Sequence, residues 1–186
     1  MPQQMPAVSL VAVPGRRRAT LEVAKEIERR GFAGIYSPSP FGNMALCEAL
    51  ALSTERIPFG TSIAPIYART VEDFAQSAAF MHEISGGRFR FGVGVSHGPS
   101  HIRMGVKPGK PLADTRAFVE KYRAHENLGG LAPVTLATLR VKMIELSGEI
   151  AQGMVFANGS RSHMAASLKA LSPAKRADAN FFIGDM

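Results

Sequence analysis

The stretch from Gly60 to His97, GTSIAPIYARTVEDFAQSAAFMHEISGGRFRFGVGVSH, constrains the fold more than any other part of the chain. It opens with a short strand-like run that breaks at Pro65. Val71, Phe74, Ala75, Ala78, Ala79 and Met81 then recur at helical spacing. Glu72 and Asp73 fall in the first turn of that helix, where its dipole favours negative charge. Ser85-Gly86-Gly87 is a stop signal. Arg88 to Val95 alternates polar and apolar residues and ends GVGV, the pattern of a second strand. Strand, helix and strand in one unit predict two parallel strands joined by a right-handed crossover.

The rest of the chain repeats that unit. Ala7 to Val13 reads as a buried strand, Pro14-Gly15 as a turn, and Arg16 to Arg30 as a helix ended by Gly31. Gly34 to Ser37 is strand two. Met44 to Thr54 is a helix, apolar nearly all round, so deep burial is expected. Ile57 to Ala64 is strand three, and Arg88 to Val95 is strand four. Gly98 to Pro111 holds three Gly and three Pro and reads as a loop, with Asp114 as N-cap of a helix through Ala124. Val134 to Ala137, Met154 to Ala157 and Phe181 to Gly184 read as strands five, six and seven. Helices Val141 to Ile150 and Ser162 to Leu171 lie between them. Strict alternation of about seven strands with six helices predicts an α/β parallel architecture in one domain, residues 1–186. A closed (β/α)8 barrel needs eight of each and usually about 250 residues. The expectation is therefore a TIM-type barrel short of its C-terminal units, with a small doubly wound sheet as the alternative.

Composition excludes several function classes. Cys47 is the single cysteine, so no intrachain disulfide forms, and no zinc set or leader segment is visible. Cytoplasmic residence follows as an expectation. No apolar run approaches the roughly 20 residues that a membrane span requires. The net charge of +7 suits an anionic ligand such as a phosphate, or a plainly basic surface. Nucleic acid is not expected as a partner, because the basic residues carry no aromatic interleaving and no binding motif.

APIYART, a helix, and then ISGGRFRFGVGVSH, followed later by PVTLATLRVKMIELSGEIAQGMVFANGS, resemble the luciferase-like monooxygenase family in this order and spacing. The resemblance covers nearly the whole chain. It implies a (β/α)8 barrel and an oxidoreductase that uses FMN or a deazaflavin coenzyme of the F-420 type on a small organic substrate. It implies a non-proline cis peptide at Ser62-Ile63, forming a bulge behind the central ring. It also implies that the loops after strands five and six, Ala137-Thr138-Leu139 and Asn158-Gly159-Ser160, bind the cofactor phosphate. Thr138 and Leu139 stand where members of the family often carry glycine. Pro38-Ser39 stands where the deazaflavin-dependent sugar-phosphate dehydrogenases carry a catalytic Asp-His pair, which argues against that activity.

In a parallel barrel, chemistry collects at the C-terminal ends of the strands. His97 follows GVGV there as the candidate acid, base or hydrogen-bond donor to the ring, with Ser96 beside it; a solvent-facing loop histidine is the plain alternative. Ala157 to Ser160 opens a helix, so free N–H groups there suit a phosphate, and a turn with Ser160 as N-cap is the plain alternative. His97 and His101 are four apart, but Gly98 and Pro99 are expected to prevent a helix between them, and no metal site is expected. With no nicotinamide fingerprint present, reduced flavin would come from a separate reductase. Two other readings stay open: a shortened barrel that binds flavin or phosphate without turnover, and a chain that pairs with another through its open edge, a homodimer included.

Overall fold

The computed structural model describes residues 5–40, 42–157 and 159–185. Seven parallel strand positions curl into a half-barrel in the order β1 (Val8–Ser9), β2 (Ile35–Ser37), β3 (Phe59–Thr61), β5 (Phe89–Gly94), β6 (Val134–Thr138), β7 (Gly153–Phe156) and β8 (Phe182–Asp185). The short β4 (Ala64–Pro65) continues the course of β3 and pairs with β5, Ala64 opposite Val93. Every pairing is parallel, so each connection crosses the outer face. The helices that do this are α1 (Arg17–Arg29), α2 (Asn43–Ser53), α3 (Val71–Ile84), α4 (Gly98–Met104), α5 (Pro111–Arg123), α6 (Val141–Ile150), α7 (Arg161–Ser167) and α8 (Pro173–Ala177). Among the described residues, no helix is long and apolar enough to cross a membrane.

The core lies between the sheet and these helices. Phe89, Phe91 and Val93 alternate outward along β5 and are fully buried. Phe91 meets Phe74 of α3 and Tyr122 of α5 with ring centroids 5.4 and 5.3 Å apart, which favours tilted aromatic packing over stacking. The opposite face of β5 carries Arg90, Gly92 and Gly94, so the alternation seen in the sequence separates core from barrel interior. Arg90 lies over the Phe182 ring of β8 at 4.8 Å, and Phe182 meets Tyr36 of β2 at 5.7 Å. Side chains from three strands thus meet inside the curl.

Two polar clamps set the strand positions. The Arg88 guanidinium donates to the carbonyls of Ser85, Ala51, Thr54 and Ile57 and to Thr54 Oγ1, tying the end of α2 to the start of β5. Those of Ala51, Thr54 and Ser85 are carbonyls that the ends of α2 and α3 leave without intrahelical partners, and Arg supplies enough donors in a planar fork to take several at once. The Glu28 carboxylate accepts the backbone N–H groups of Glu55, Arg56 and Ile57 at 2.7–3.2 Å, fixing the turn into β3. Burial opposes ionisation of Glu28, but these three backbone bonds outweigh it and hold the carboxyl below its usual range.

Several expectations change. The first strand is confined to Val8–Ser9 within the predicted Ala7 to Val13, an edge paired on one side only. Strand three divides into β3 and β4 at Ser62–Ile63, where the cis peptide implied by the resemblance is present. The predicted loop from Gly98 to Pro111 contains α4, because a proline in the first turn forfeits no intrahelical bond. His97 and His101 are therefore joined by helix, contrary to expectation. Asp114 is not an N-cap; α5 begins at Pro111. A further short helix not read from the sequence, α8, opens at Pro173, with Ser172 capping the Lys175 N–H. Leu52, on the helix read as buried all round, is 76 % exposed.

Candidate functional site

A cavity of about 1060 Å³ opens where the strands end, at the face that carries chemistry in barrels of this kind. The structure brings Ser62, Ile63, Ser96, His97, Ala137 and Thr138 around it. Its floor is the Ser62–Ile63 segment, where the course of β3 into β4 leaves the ladder. Two glycines of β5 make room beside it, Gly92 for Thr61 just ahead of the segment and Gly94 for Ile63. A Cβ on Gly92 would lie 1.9 Å from the Thr61 carbonyl oxygen. A Cβ on Gly94 would lie 2.7 Å from Ala137 Cβ and 3.3 Å from the Ile63 side chain. The GVGV run is therefore a steric concession to the floor, not a nucleotide loop.

Ser96 has a φ of 64°, the left-handed region, and is the one non-glycine residue with positive φ among the described residues. Such a conformation costs about 1 kcal/mol or more and is characteristic of ligand-facing turns. It turns the chain from β5 into α4, so that His97 precedes the helix at the cavity rim with an exposed ring. His97 makes no side-chain hydrogen bond among the described residues. His101 differs: its Nε2 lies 2.6 Å from the Val95 carbonyl, which only accepts, so this nitrogen carries the proton. Among the described residues, no group of three or more His, Cys, Asp or Glu is placed to hold a metal ion.

The remaining wall comes from α5 and from the β6–α6 turn. Pro111 and Leu112 line the outer side. They are held by Tyr67, whose hydroxyl donates to Asp114 Oδ2 at 2.6 Å, while the Gly109 N–H reaches the same oxygen at 3.0 Å. Burial first, and the bond to Asp114 second, push the Tyr67 hydroxyl up to about 12. On the opposite side Leu139, Arg140, Val141 and Lys142 open α6. Arg140 and Lys142 give the cavity positive charge, and among the described residues no carboxylate lies on its lining. No side chain caps this helix.

A family model described as luciferase-like monooxygenase matches residues 4–181. The chain belongs to that family. It is 33% identical over 150 residues to a protein of Mycobacterium tuberculosis, by name a coenzyme F420-dependent oxidoreductase, covering 77% of this chain and 41% of the relative. It is 26% identical over 155 residues to the 5,10-methylenetetrahydromethanopterin reductase of Methanolobus tindarius, covering 71% and 48%. The chain thus spans less than half the length of these curated relatives. The solved structure of the coenzyme F420-dependent tetrahydromethanopterin reductase of Methanopyrus kandleri superposes with a TM-score of 0.80 at 18% identity, over 98% of this chain and 65% of that one. This last likeness concerns the fold.

In this luciferase-like chain the two loops read as phosphate seats come out differently. Ala137 and Thr138 reach the cavity. Gly159 and Ser160 are not on its lining. The Gly159 N–H donates to Asp185 Oδ1 at 2.8 Å, and Ser160 Oγ accepts the His163 N–H at 3.2 Å as the N-cap of α7. The plain N-cap alternative therefore describes Ser160. Asn158 lies outside the described residues. The residues not anticipated from sequence are Arg140 and Lys142, for which a basic pair just after a strand was the available signal, and Leu112, which gave none.

Proposed function

We propose that this chain binds a deazaflavin coenzyme, with FMN as the alternative, in the 1060 Å³ cavity and serves the redox chemistry of a small organic substrate there. The observation that carries this reading is the pairing of an apolar floor at Ser62–Ile63 with an uncapped helix start flanked by Arg140 and Lys142. A flat ring with a phosphate-bearing tail fits that division: the ring against Ile63, Val95 and Ala137, the tail toward the N–H groups and cations of α6. The name of the Mycobacterium tuberculosis relative favours the deazaflavin. When bound, a deazaflavin supplies hydride transfer, and a reduced FMN supplies reactivity toward oxygen.

The chain's own residues do the rest. Ile63, Leu112, Leu139 and Met143 exclude water from the space above the floor. Ser96 orients the turn. His97, with its ring free at the rim, is placed to take a proton from, or give one to, a substrate oxygen through a ring nitrogen. Arg140 and Lys142 draw an anionic ligand into a mouth lined by one sign of charge. Association of two copies belongs to the same reading, supported by the outer edges of β1 and β8, unpaired among the described residues, and by exposed Leu52 and Phe80.

The test is a fluorescence titration of the purified chain with coenzyme F420 and with FMN. Saturable binding of one, weakened about tenfold or more when Arg140 and Lys142 are both changed to Ala, supports the reading. Absence of binding by either coenzyme refutes it. Because the chain spans less than half of its curated relatives, turnover is assayed separately from binding.

A further inference from the structure

We infer that Asn43 is a positioning residue for the floor of the cavity, acting through the Ile63 carbonyl; this rests on the functional reading above. Asn43 is the first residue of α2 and follows Gly42, whose φ of 80° turns the chain into the helix. A polar residue at a helix start usually faces solvent or caps its own helix. Asn43 does neither: it is 6 % exposed and its side chain caps no N–H of α2. Its Nδ2 lies 3.1 Å from the Ile63 carbonyl oxygen and 3.4 Å from that of Ser37.

Both partners are carbonyl oxygens, which only accept. The amide nitrogen must therefore face them, and the chemistry of the site fixes the orientation of the carboxamide. The Ser37 carbonyl also receives the Ser62 N–H at 2.8 Å. The end of β2, the start of α2 and both residues of the floor are thus joined through one side chain and one carbonyl. Among the described residues, no ladder pairing takes the place of this tie. The β2–β3 register ends at Ser37 opposite Thr61, and β4 resumes pairing only at Ala64. Among the described residues, the Ile63 carbonyl has no other partner. Asn43 is absent from the lining of the cavity, so it acts on a ligand only by holding Ile63 in place.

The test compares wild type with Asn43→Ala and Asn43→Asp. The alanine removes both donations; the aspartate presents acceptor oxygens to two carbonyls and is the more damaging change. Coenzyme F420 and FMN are titrated by fluorescence, and inorganic phosphate is measured as a competitor that has no ring. The expected result for Asn43→Ala is a rise of about tenfold in the coenzyme Kd, the equivalent of one lost hydrogen bond, with the phosphate competition constant unchanged. Where the alanine protein does not fold, Asn43→Leu, which fills a similar volume without a donor, is read the same way. Unchanged coenzyme affinity in the variants, or equal losses for coenzyme and phosphate, overturns the inference while leaving the function standing. A wild-type chain that binds neither coenzyme overturns the function, and this inference with it.

Discussion

Replacing Gly92 with alanine tests the claim that β5 is shaped to admit the floor. The new Cβ would sit 1.9 Å from the Thr61 carbonyl oxygen and 3.0 Å from its carbon. Non-bonded carbon contacts are comfortable only near 3.5–4.0 Å, so the oxygen must retreat by well over ~1 Å. That oxygen belongs to the backbone of β3, which cannot rotate away as a side chain tip would. The shift also pulls on the 2.6 Å bond from Thr61 Oγ1 to the Gly92 carbonyl. Overpacking costs about 1–3 kcal/mol and a weakened buried hydrogen bond about 1 kcal/mol, which together give roughly 3 kcal/mol. For a chain of 186 residues this lowers Tm by about 6–12 °C. Gly130→Ala is the control: a Cβ there meets only the His82 side chain, at an ordinary 3.7 Å. It should match or slightly exceed wild type, because alanine restricts the unfolded chain more than glycine does. Thermal unfolding followed by circular dichroism reads all three proteins. A Gly92→Ala protein melting within ~2 °C of wild type would refute the steric reading of GVGV.

Three further outcomes follow from the clamps and the turn. Arg88→Lys should lose about 2–4 kcal/mol in chemical denaturation, because a lysine ammonium cannot reach the several carbonyls that the guanidinium holds together. Glu28→Gln should cost about 1 kcal/mol at neutral pH, a small figure because the carboxylate is partly solvated. Since the folded carboxyl titrates below its ordinary range, its contribution is complete above that range and disappears as pH falls through the folded value; the Tm gap between wild type and Glu28→Gln should close in acid. Ser96→Val should destabilise by about 1–2 kcal/mol, because a β-branched residue tolerates a positive φ poorly, and equal melting of the two proteins would remove the case for a left-handed turn at 96.

Much of this architecture was legible in the sequence because local signals agreed with the period. Thr70 caps the Asp73 N–H, Glu72 and Asp73 occupy the first turn, and Gly86 and Gly87 take positive φ at the stop, so α3 was fixed at both ends. Signals of opposite meaning were harder to read. Proline marks a loop in the interior of an element but is harmless in the first turn, so α4 and α8, both opened near a proline, were invisible as helices. The edge strand β1 was overextended because the chain leaves the ladder after the Leu10 N–H donates to the Tyr36 carbonyl at 3.1 Å; beyond it the Val13 N–H turns back to the Val11 carbonyl. At the site, His97, Ser96 and Ala137 could be placed by strand ends alone. The bend at Ser62–Ile63 rested on family resemblance, since Ser-Ile carries no turn chemistry of its own. Asn43 gave no signal at all: its partners are backbone carbonyls 6 and 20 residues away, and side chain to backbone bonds leave no trace in residue pairing.

The floor of the cavity is thus defined less by the residues on it than by what stands around it. Gly92 and Gly94 yield space from the β5 side, and Asn43 supplies the hydrogen bond that the broken ladder between β3 and β4 withholds from Ile63. Each contribution is of a kind that few residues can make: the glycines by lacking a Cβ, the asparagine by donating where acceptors face it. Ile63 offers an apolar surface, and the two residues together a backbone path. The residues with titratable or charged side chains, His97, Arg140 and Lys142, stand on the lining and are well suited to meet a ligand's protons and phosphates. Shape is therefore set from behind the floor and charge from the rim, and substitutions in the two groups should have separable effects on coenzyme ring and coenzyme phosphate.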